Sequence, residues 1–488
     1  LTLDYGNRLA SFMAESMTHP LVAETMMTLV ARQPTSMALV ERLRRSSSNS
    51  PVLWPFHAMQ VPLSLAEARG SRVVDVDGNE YLDAFLCFGT QSLFGHNPPD
   101  VVDAVREILG RSVGNATFHQ VQLDHTELLL SLWPFAQRVL FVNSGTDATA
   151  AAVRLARAHT GRRLIVKFDG AIHGTHDWGM LNSFALMHGH PVVPFPEPSD
   201  EGFELKPFGT GVPVDPDVLV LPLLAPDTRE VLARHRHEIA AVIAEPCCTA
   251  FPFPERSVPW VKSVAEACRD LGVLFILDEV QTGFRYDIGG AAVKFDIPAD
   301  LVCYGKVLSG LGLPLAAVAG KASILDRATT SGFSLGDYGQ KTTFMSTHHG
   351  AHLSMAASHA SISKLVAEGP AYHERARRRL ARLRERLAVL HDEGIPLHLV
   401  GFGEFIGSLV FFRPGAPLDG PRDVARAANP SAGFLLSLML RARGVHSHAF
   451  PLVFLGDAHT DDEIETLADV IVGAARAMKD AGFPLIVT

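Results

Sequence analysis

Short apolar runs dominate the middle of the chain: Val139–Val142, Leu164–Phe168, Ala241–Ala244, Val273–Leu277, Leu301–Tyr304 and Leu315–Ala319. Each has the length of a strand, and stretches of helical spacing separate one from the next. Strands hidden on both faces read this way, so the pattern predicts a mostly parallel sheet covered by helices. Ahead of it, the first fifty or so positions carry polar-amphipathic helical periodicity and end in the loop Ser46–Pro51. Val73–Asp83 reads as a hairpin turned by Asp77-Gly78-Asn79. Beyond Gly350 the grain changes to long helices around a short stranded stretch, Gly403–Phe412. The organisation expected is an N-terminal helical segment (1–50), a large α/β domain (51–350) and a smaller C-terminal α+β domain (351–488), with the hairpin joining the smaller one.

The densest basic run is Arg375, Arg377, Arg378, Arg379, Arg382, Arg384 and Arg386, interleaved with Leu380, Leu383, Leu387 and Leu390. Leucines at that spacing predict an amphipathic helix whose wet face carries the arginines. A net charge of −9 argues further against a nucleic-acid binder, which needs a basic patch. At 488 residues, 47% hydrophobic and 19% charged, the composition is that of a globular enzyme. The five cysteines form no CxxC pair, which fits a reducing cytoplasm. No secretory leader or membrane-length apolar run is visible. Leu at position 1, in place of Met, suggests a chain cut from a longer polypeptide.

In an open α/β sheet, ligands bind beyond the carboxyl ends of the strands, so chemistry is sought just after each apolar run. Asn143-Ser144-Gly145-Thr146-Asp147 follows the first run and opens the Ala-rich helix Ala148–His159. Helix-start N–H groups, two hydroxyls and a close-approach glycine suit an anion, although Ser and Thr are also ordinary N-caps. Asp278 ends the strand Val273–Leu277, where a buried carboxylate needs a positive partner or a helix to cap. Lys306 follows Leu301–Tyr304, where partial desolvation would free its amine for Schiff-base chemistry. Phosphate cradle, strand-end acid and strand-end lysine are what the tail, ring and aldehyde of pyridoxal phosphate (PLP) require. Histidines cluster at His348, His349, His352, His446 and His448, but no His-Glu-x-x-His spacing occurs and no metal site is expected.

The strings Phe141-Val-Asn-Ser-Gly-Thr-Asp-Ala148, Phe168-Asp-Gly-Ala-Ile-His-Gly174, Ala244-Glu-Pro246, Leu277-Asp-Glu-Val-Gln-Thr-Gly-Phe-Arg285 and Gly305-Lys306 resemble the class III aminotransferases of PLP fold type I. The resemblance is strongest to the branch near glutamate-1-semialdehyde aminomutase. It implies that Ser144, Gly145 and Thr146 hold the phosphate and that Ile172 and His173 lie beside the ring. Glu245 would stand behind them, Asp278 would pair with the ring nitrogen, and Val280 would pack under the ring. Gln281 would reach the ring hydroxyl, and Lys306 would carry the aldehyde. Thr347, in Phe344-Met-Ser-Thr-His-His-Gly350, would cross a homodimer interface to the neighbour's phosphate.

This chain departs from the family pattern where the substrate sits. Ile172 replaces a stacked aromatic residue, Leu53 stands in place of a carboxylate-binding arginine, and Phe450-Pro451-Leu452 replaces a charged anchor. The segment Phe88–Pro99 is similar to aminotransferase domains of hybrid polyketide–peptide synthases. The function expected is transfer of an amino group from a donor to an aldehyde or ketone of low polarity, free or held by an acyl carrier protein. Arg256 is the available stand-in for a donor's carboxylate anchor. The alternatives are an intramolecular aminomutase and a catalytically idle PLP-binding subunit.

Overall fold

A computed structural model describes residues 14–46, 63–111, 117–183, 198–199, 202–207, 211–329, 339–344, 346–401, 406–448 and 451–487. The expectations placed on Leu53 and Phe450 lie outside these residues.

Two helices, α1 (Pro20–Arg32) and α2 (Pro34–Ser46), make up most of the described N-terminal segment. Pro34 cannot donate to the preceding turn, so one long periodic stretch becomes two helices. Three strands follow: β1 (Leu65–Arg69), β2 (Arg72–Asp75) and β3 (Glu80–Asp83), all antiparallel.

The large sheet holds β4 (Arg138–Val142), β5 (Leu164–Phe168), β6 (Val218–Leu221), β7 (Ile239–Ala244), β8 (Leu274–Glu279), β9 (Leu301–Tyr304) and β10 (Ala316–Gly320). Their spatial order is β4-β10-β9-β8-β7-β5-β6. Only β10 is reversed, antiparallel to both β9 and β4. Val218–Leu221 was not anticipated as a strand, although it is an apolar run of the same length as Leu301–Tyr304. Successive residues face opposite sides. Val302 and Tyr304 pack into one core, and Leu301 and Cys303 into the core across the sheet. Burial on both faces is why these strands read as continuous apolar runs.

Helix α3 (Gly145–Thr160) runs from the end of β4. Ser144 caps its start by accepting from the Asp147 N–H at 3.2 Å, and Gly161, at φ 71°, ends it. Its small buried residues, Ala148, Ala151, Ala152 and Ala156, let the helix lie close on the sheet.

Later elements build a further core. Helix α4 (Pro370–Leu387), β11 (Leu397–Gly401), β12 (Ile406–Phe411), α5 (Pro430–Ala442), β13 (Val445–His446), β14 (Leu452–Phe454) and α6 (Asp461–Asp480) contribute. Leu82 and Ala84 of the hairpin region enter the same core, and β13 pairs in parallel with β3. The stranded stretch begins at Leu397, ahead of the Gly403 expected, because Leu397–Gly401 pairs with Ile406–Phe411. The arginine face of α4 is not simply wet. Arg375 meets Asp457 at 2.8 Å, Arg379 meets Asp461 at 3.1 Å, and Arg386 meets Glu465 at 2.8 Å, a ladder against α6 and the turn before it. Leu390 lies past the helix end, in the short turn Val389–Asp392.

Candidate active site

Register decides which side chains meet at the carboxyl edge of the sheet. Leu277 of β8 is level with Ala244 of β7, so Asp278 and Glu245 emerge side by side. Glu279 is level with Tyr304 of β9, and two residues later the chain reaches Lys306. The turns after β4 and β5 bring Ser144–Thr146 and Ile172–His173 to the same edge. Ser144, Gly145, Thr146, Ile172, His173, Glu245, Asp278, Val280, Gln281 and Lys306 line one cavity of about 360 Å³. Thr347 does not line it; in the single chain it is exposed.

Each polar group at this edge has a physical reason for its place. Asp278 Oδ2 lies 2.8 Å from His173 Nδ1, and Oδ1 accepts from the Val280 N–H at 3.0 Å. Burial pulls His173 below its usual pKa against the pull of Asp278. Its Nε2 is buried and makes no hydrogen bond. Glu245 accepts from the Ile172 N–H at 2.8 Å and from Thr249 Oγ1 at 2.9 Å. Burial, with the Asp278 charge beside it, raises its pKa to about 7. The neighbouring Glu279 points away from the cavity and takes the Ala291 and Ala292 N–H groups at 2.7 and 2.8 Å, a structural acid.

Lys306 is half-buried, and its pKa is drawn down to about 8, by loss of solvent around the amine first and then by the Arg285 charge, with Asp278 and Glu245 opposing. Its φ of 43° is left-handed, a conformation that costs a non-glycine residue about 1–3 kcal/mol. The strain aims the side chain off the strand axis toward the cavity. Under the same site, a Cβ on Gly145 would stand 2.7 Å from Val280 Cγ1. Only glycine allows the helix start and the side chain of Val280 to meet so closely, which shapes a cradle between them.

Another part of the lining comes from stretches of the chain that strand-end reasoning does not reach. Phe88, His448, Leu452 and Phe454 line it. Phe88 sits in a run of left-handed backbone, with φ of 45° at Leu86, 53° at Cys87, 56° at Phe88 and 74° at Gly89. The rings of Phe88 and His448 are 5.0 Å apart, and Phe85 stacks on His448 at 5.8 Å. His448 belonged to the histidine cluster read from the sequence, yet its spacing carried no sign of this position. Among the described residues no group of three His, Cys, Asp or Glu side chains could hold a metal ion.

Arg256 is not in the cavity. Its guanidinium bonds to the Leu418 carbonyl at 2.5 Å and lies over Phe251, because the helix that carries it, Pro254–Leu271, faces the 418–419 turn. Cys247 and Cys248 are packed in the core and also stay out of the cavity.

A seven-stranded α/β sheet with an acid, a half-buried lysine of lowered pKa and a helix-start cradle on one edge defines a PLP enzyme of fold type I. Solved structures agree: an omega-transaminase from Sphaerobacter thermophilus superposes with a TM-score of 0.80 at 27% identity, covering 93% of this chain and 99% of its own. A beta-phenylalanine aminotransferase from Variovorax paradoxus gives 0.79 at 25% identity, covering 96% and 98%. A glutamate-1-semialdehyde 2,1-aminomutase of Anaeromyxobacter dehalogenans (strain 2CP-C) is 33% identical over 444 residues, 89% of this chain and 95% of that one. Residues 55–414 match the model of the aminotransferase class-III family. The chain belongs to the class III aminotransferases; it is a PLP-dependent aminotransferase. No described helix is long and apolar enough to cross a membrane.

Proposed function

We propose that this enzyme moves an amino group from a donor to an aldehyde or ketone of low polarity, free or carried by an acyl carrier protein. The observation that carries this reading is the apolar lining of Phe88, Leu452 and Phe454 in the same cavity as Lys306, with no arginine among the described lining residues. A carboxylate buried against such a wall costs several kcal/mol (about 2–7 for a polar group without partners, more for a charge). Each buried methylene instead gains about 0.8 kcal/mol.

In this reading Ser144, Gly145 and Thr146 hold the cofactor's phosphate at the start of α3. The Gly145–Val280 contact shapes the floor under the ring, and Ile172 supplies apolar contact on the side where relatives carry an aromatic residue. Asp278, held by His173 and Val280, would keep the ring nitrogen protonated, and Gln281 would address the ring hydroxyl. Bound there, PLP would supply an electron sink to the substrate carbon that loses a proton. Lys306, with its lowered pKa, is neutral often enough near pH 8 to take and return a proton at that carbon. Glu245 fixes the loop at Ile172 through its backbone N–H. Thr347, exposed in one chain, is assigned to the phosphate of a second copy, which makes the working unit a homodimer.

A second reading, an intramolecular aminomutase, is favoured by the 33% identity to a glutamate-1-semialdehyde 2,1-aminomutase. Aldehydes of equal chain length ending in a methyl group or a carboxylate, each assayed with and without an amino donor, decide between them. The methyl-ended aldehyde should win by at least about tenfold in kcat/KM, about 1.4 kcal/mol, and only with donor present. Preference for the carboxylated aldehyde, with turnover in the absence of donor, would put the aminomutase ahead.

A further inference from the structure

Two other cations of this fold, one buried and one half-buried, are well served. Lys167, fully buried in β5, donates to Gly179 O at 3.1 Å, to Leu181 O at 2.5 Å and to Ser183 Oγ at 3.2 Å. Arg422 meets the Asp169 carboxylate at 3.2 Å. Arg285 differs. It is 1% exposed, and its one hydrogen bond is from Nη2 to the Gly89 carbonyl at 2.8 Å. Its Nε and Nη1 are buried without any hydrogen-bond partner, and no described carboxylate pairs with it. Leaving a guanidinium in that condition is expensive, and a fold keeps it only where something compensates.

The position of Arg285 says what that is. The ring of Phe454, which lines the cavity, lies over the guanidinium at 5.5 Å from its centroid. A Cβ on Gly89 would stand 2.4 Å from Phe454 Cδ1 and 2.6 Å from Arg285 Nη2, so the left-handed turn, the ring and the cation form one tight stack. The Arg285 charge also reaches the Lys306 amine. An enzyme of the kind proposed above must seat two substrates in turn at one place: an acceptor with no charge near the reacting carbon, and a donor that, if it is an amino acid, brings a carboxylate there. One aromatic ring separates an apolar wall from an unsatisfied cation.

We propose that Arg285 is the anchor for the carboxylate of the amino donor, covered by Phe454 when the apolar acceptor is bound and uncovered when that ring swings aside. The proposal rests on the transaminase reading of the site. A carboxylate would take the two free donors as charge-assisted bonds, the planar fork matching its oxygens. The keto acid left by the donor returns through the same anchor in the reverse direction, so acceptor preference is read from aldehydes alone.

The test uses holoenzyme with Arg285 or with Arg285→Met, which fills similar space without charge. Half-reactions are followed with donor pairs that differ only by carboxylate against methyl: L-alanine with isopropylamine, and L-glutamate with 4-aminopentanoate. The ratio of kcat/KM, carboxylated over methyl, should fall about 100-fold in Arg285→Met and recover in part in Arg285→Lys. Calorimetric titration with acetate and propionate should show weaker binding to Arg285→Met, and its Tm should equal or exceed that of the parent because an unpaired buried cation has gone. Equal loss for both members of each pair, or a lowered Tm with unchanged carboxylate binding, would make Arg285 a structural residue and overturn the proposal. If the parent accepts none of the four donors, the transaminase reading fails, while the carboxylate titration still reports on the anchor.

Discussion

The two walls of the cavity are built by opposite means. The side assigned to the cofactor is made from strand ends: Glu245, Asp278 and Lys306 leave neighbouring strands whose register is set by hydrogen bonds far from the site. The polar atoms that orient it meet close partners, as His173 with Asp278 and Ile172 with Glu245 do. The side assigned to the substrate is made from a left-handed turn and the segment before and within β14, held by ring contacts among Phe85, Phe88, His448 and Phe454. Hydrogen-bonded strand ends permit few residue types, whereas ring packing accepts many. A family can therefore keep its chemistry on the first wall and change its substrate on the second.

That contrast can be broken by substitution on the first wall. Lys306→Ala should lower kcat by about 10⁴-fold or more, since the amine and the proton carrier go together. Borohydride reduction of the parent should attach the cofactor to the Lys306 peptide alone, and attachment elsewhere would remove the basis of the site assignment. Asp278→Asn should cost about 10²-fold in kcat, the worth of a hydrogen bond to a charged group, and move Tm by only a few degrees. An Asp278→Asn enzyme with parental kcat would show that Asp278 merely steadies His173, and the first wall would then be no stricter than the second.

The smallest effect sharpens the comparison. Glu245 titrates near pH 7 when folded against 4.5 for a free glutamate. A raised acid pKa means that the unfolded chain releases its proton first, so this group erodes stability as pH climbs from 4.5 to 7, after which the loss is constant. Glu245→Gln removes that erosion: melting of the cofactor-free protein should place the variant above the parent at pH 8 and close to it at pH 5. The gap in kcat/KM, expected below about tenfold, should likewise open only at the higher pH. A gap independent of pH would mean that the hydrogen bonds of Glu245 matter and its charge does not.

Much of the sheet was legible because strands buried on both faces leave apolar runs whatever surrounds them. Val139–Val142, Leu164–Phe168 and Leu301–Tyr304 could be read that way, and the residues just beyond them followed. Val218–Leu221 was missed although its four apolar residues carry the same signal as Leu301–Tyr304. The antiparallel direction of β10 was out of reach, since a strand's own pattern is the same in either direction. The arginine face of α4 looked solvated for a related reason: its acidic partners on α6 lie more than eighty positions away.

By itself, then, the order of residues determined that a lysine, an acid and a helix-start loop would follow three strands, because local pattern and strand ends are properties of neighbours in the chain. It could not determine that Phe88, His448 and Phe454 would line one cavity with Lys306, or that Arg285 would lie against Phe454 while Arg256 bonded to a surface turn. Those facts depend on where segments hundreds of residues apart come to rest against one another. Burial, orphaned donors and ring contacts are consequences of packing, and packing is settled only when the whole chain has closed around the sheet.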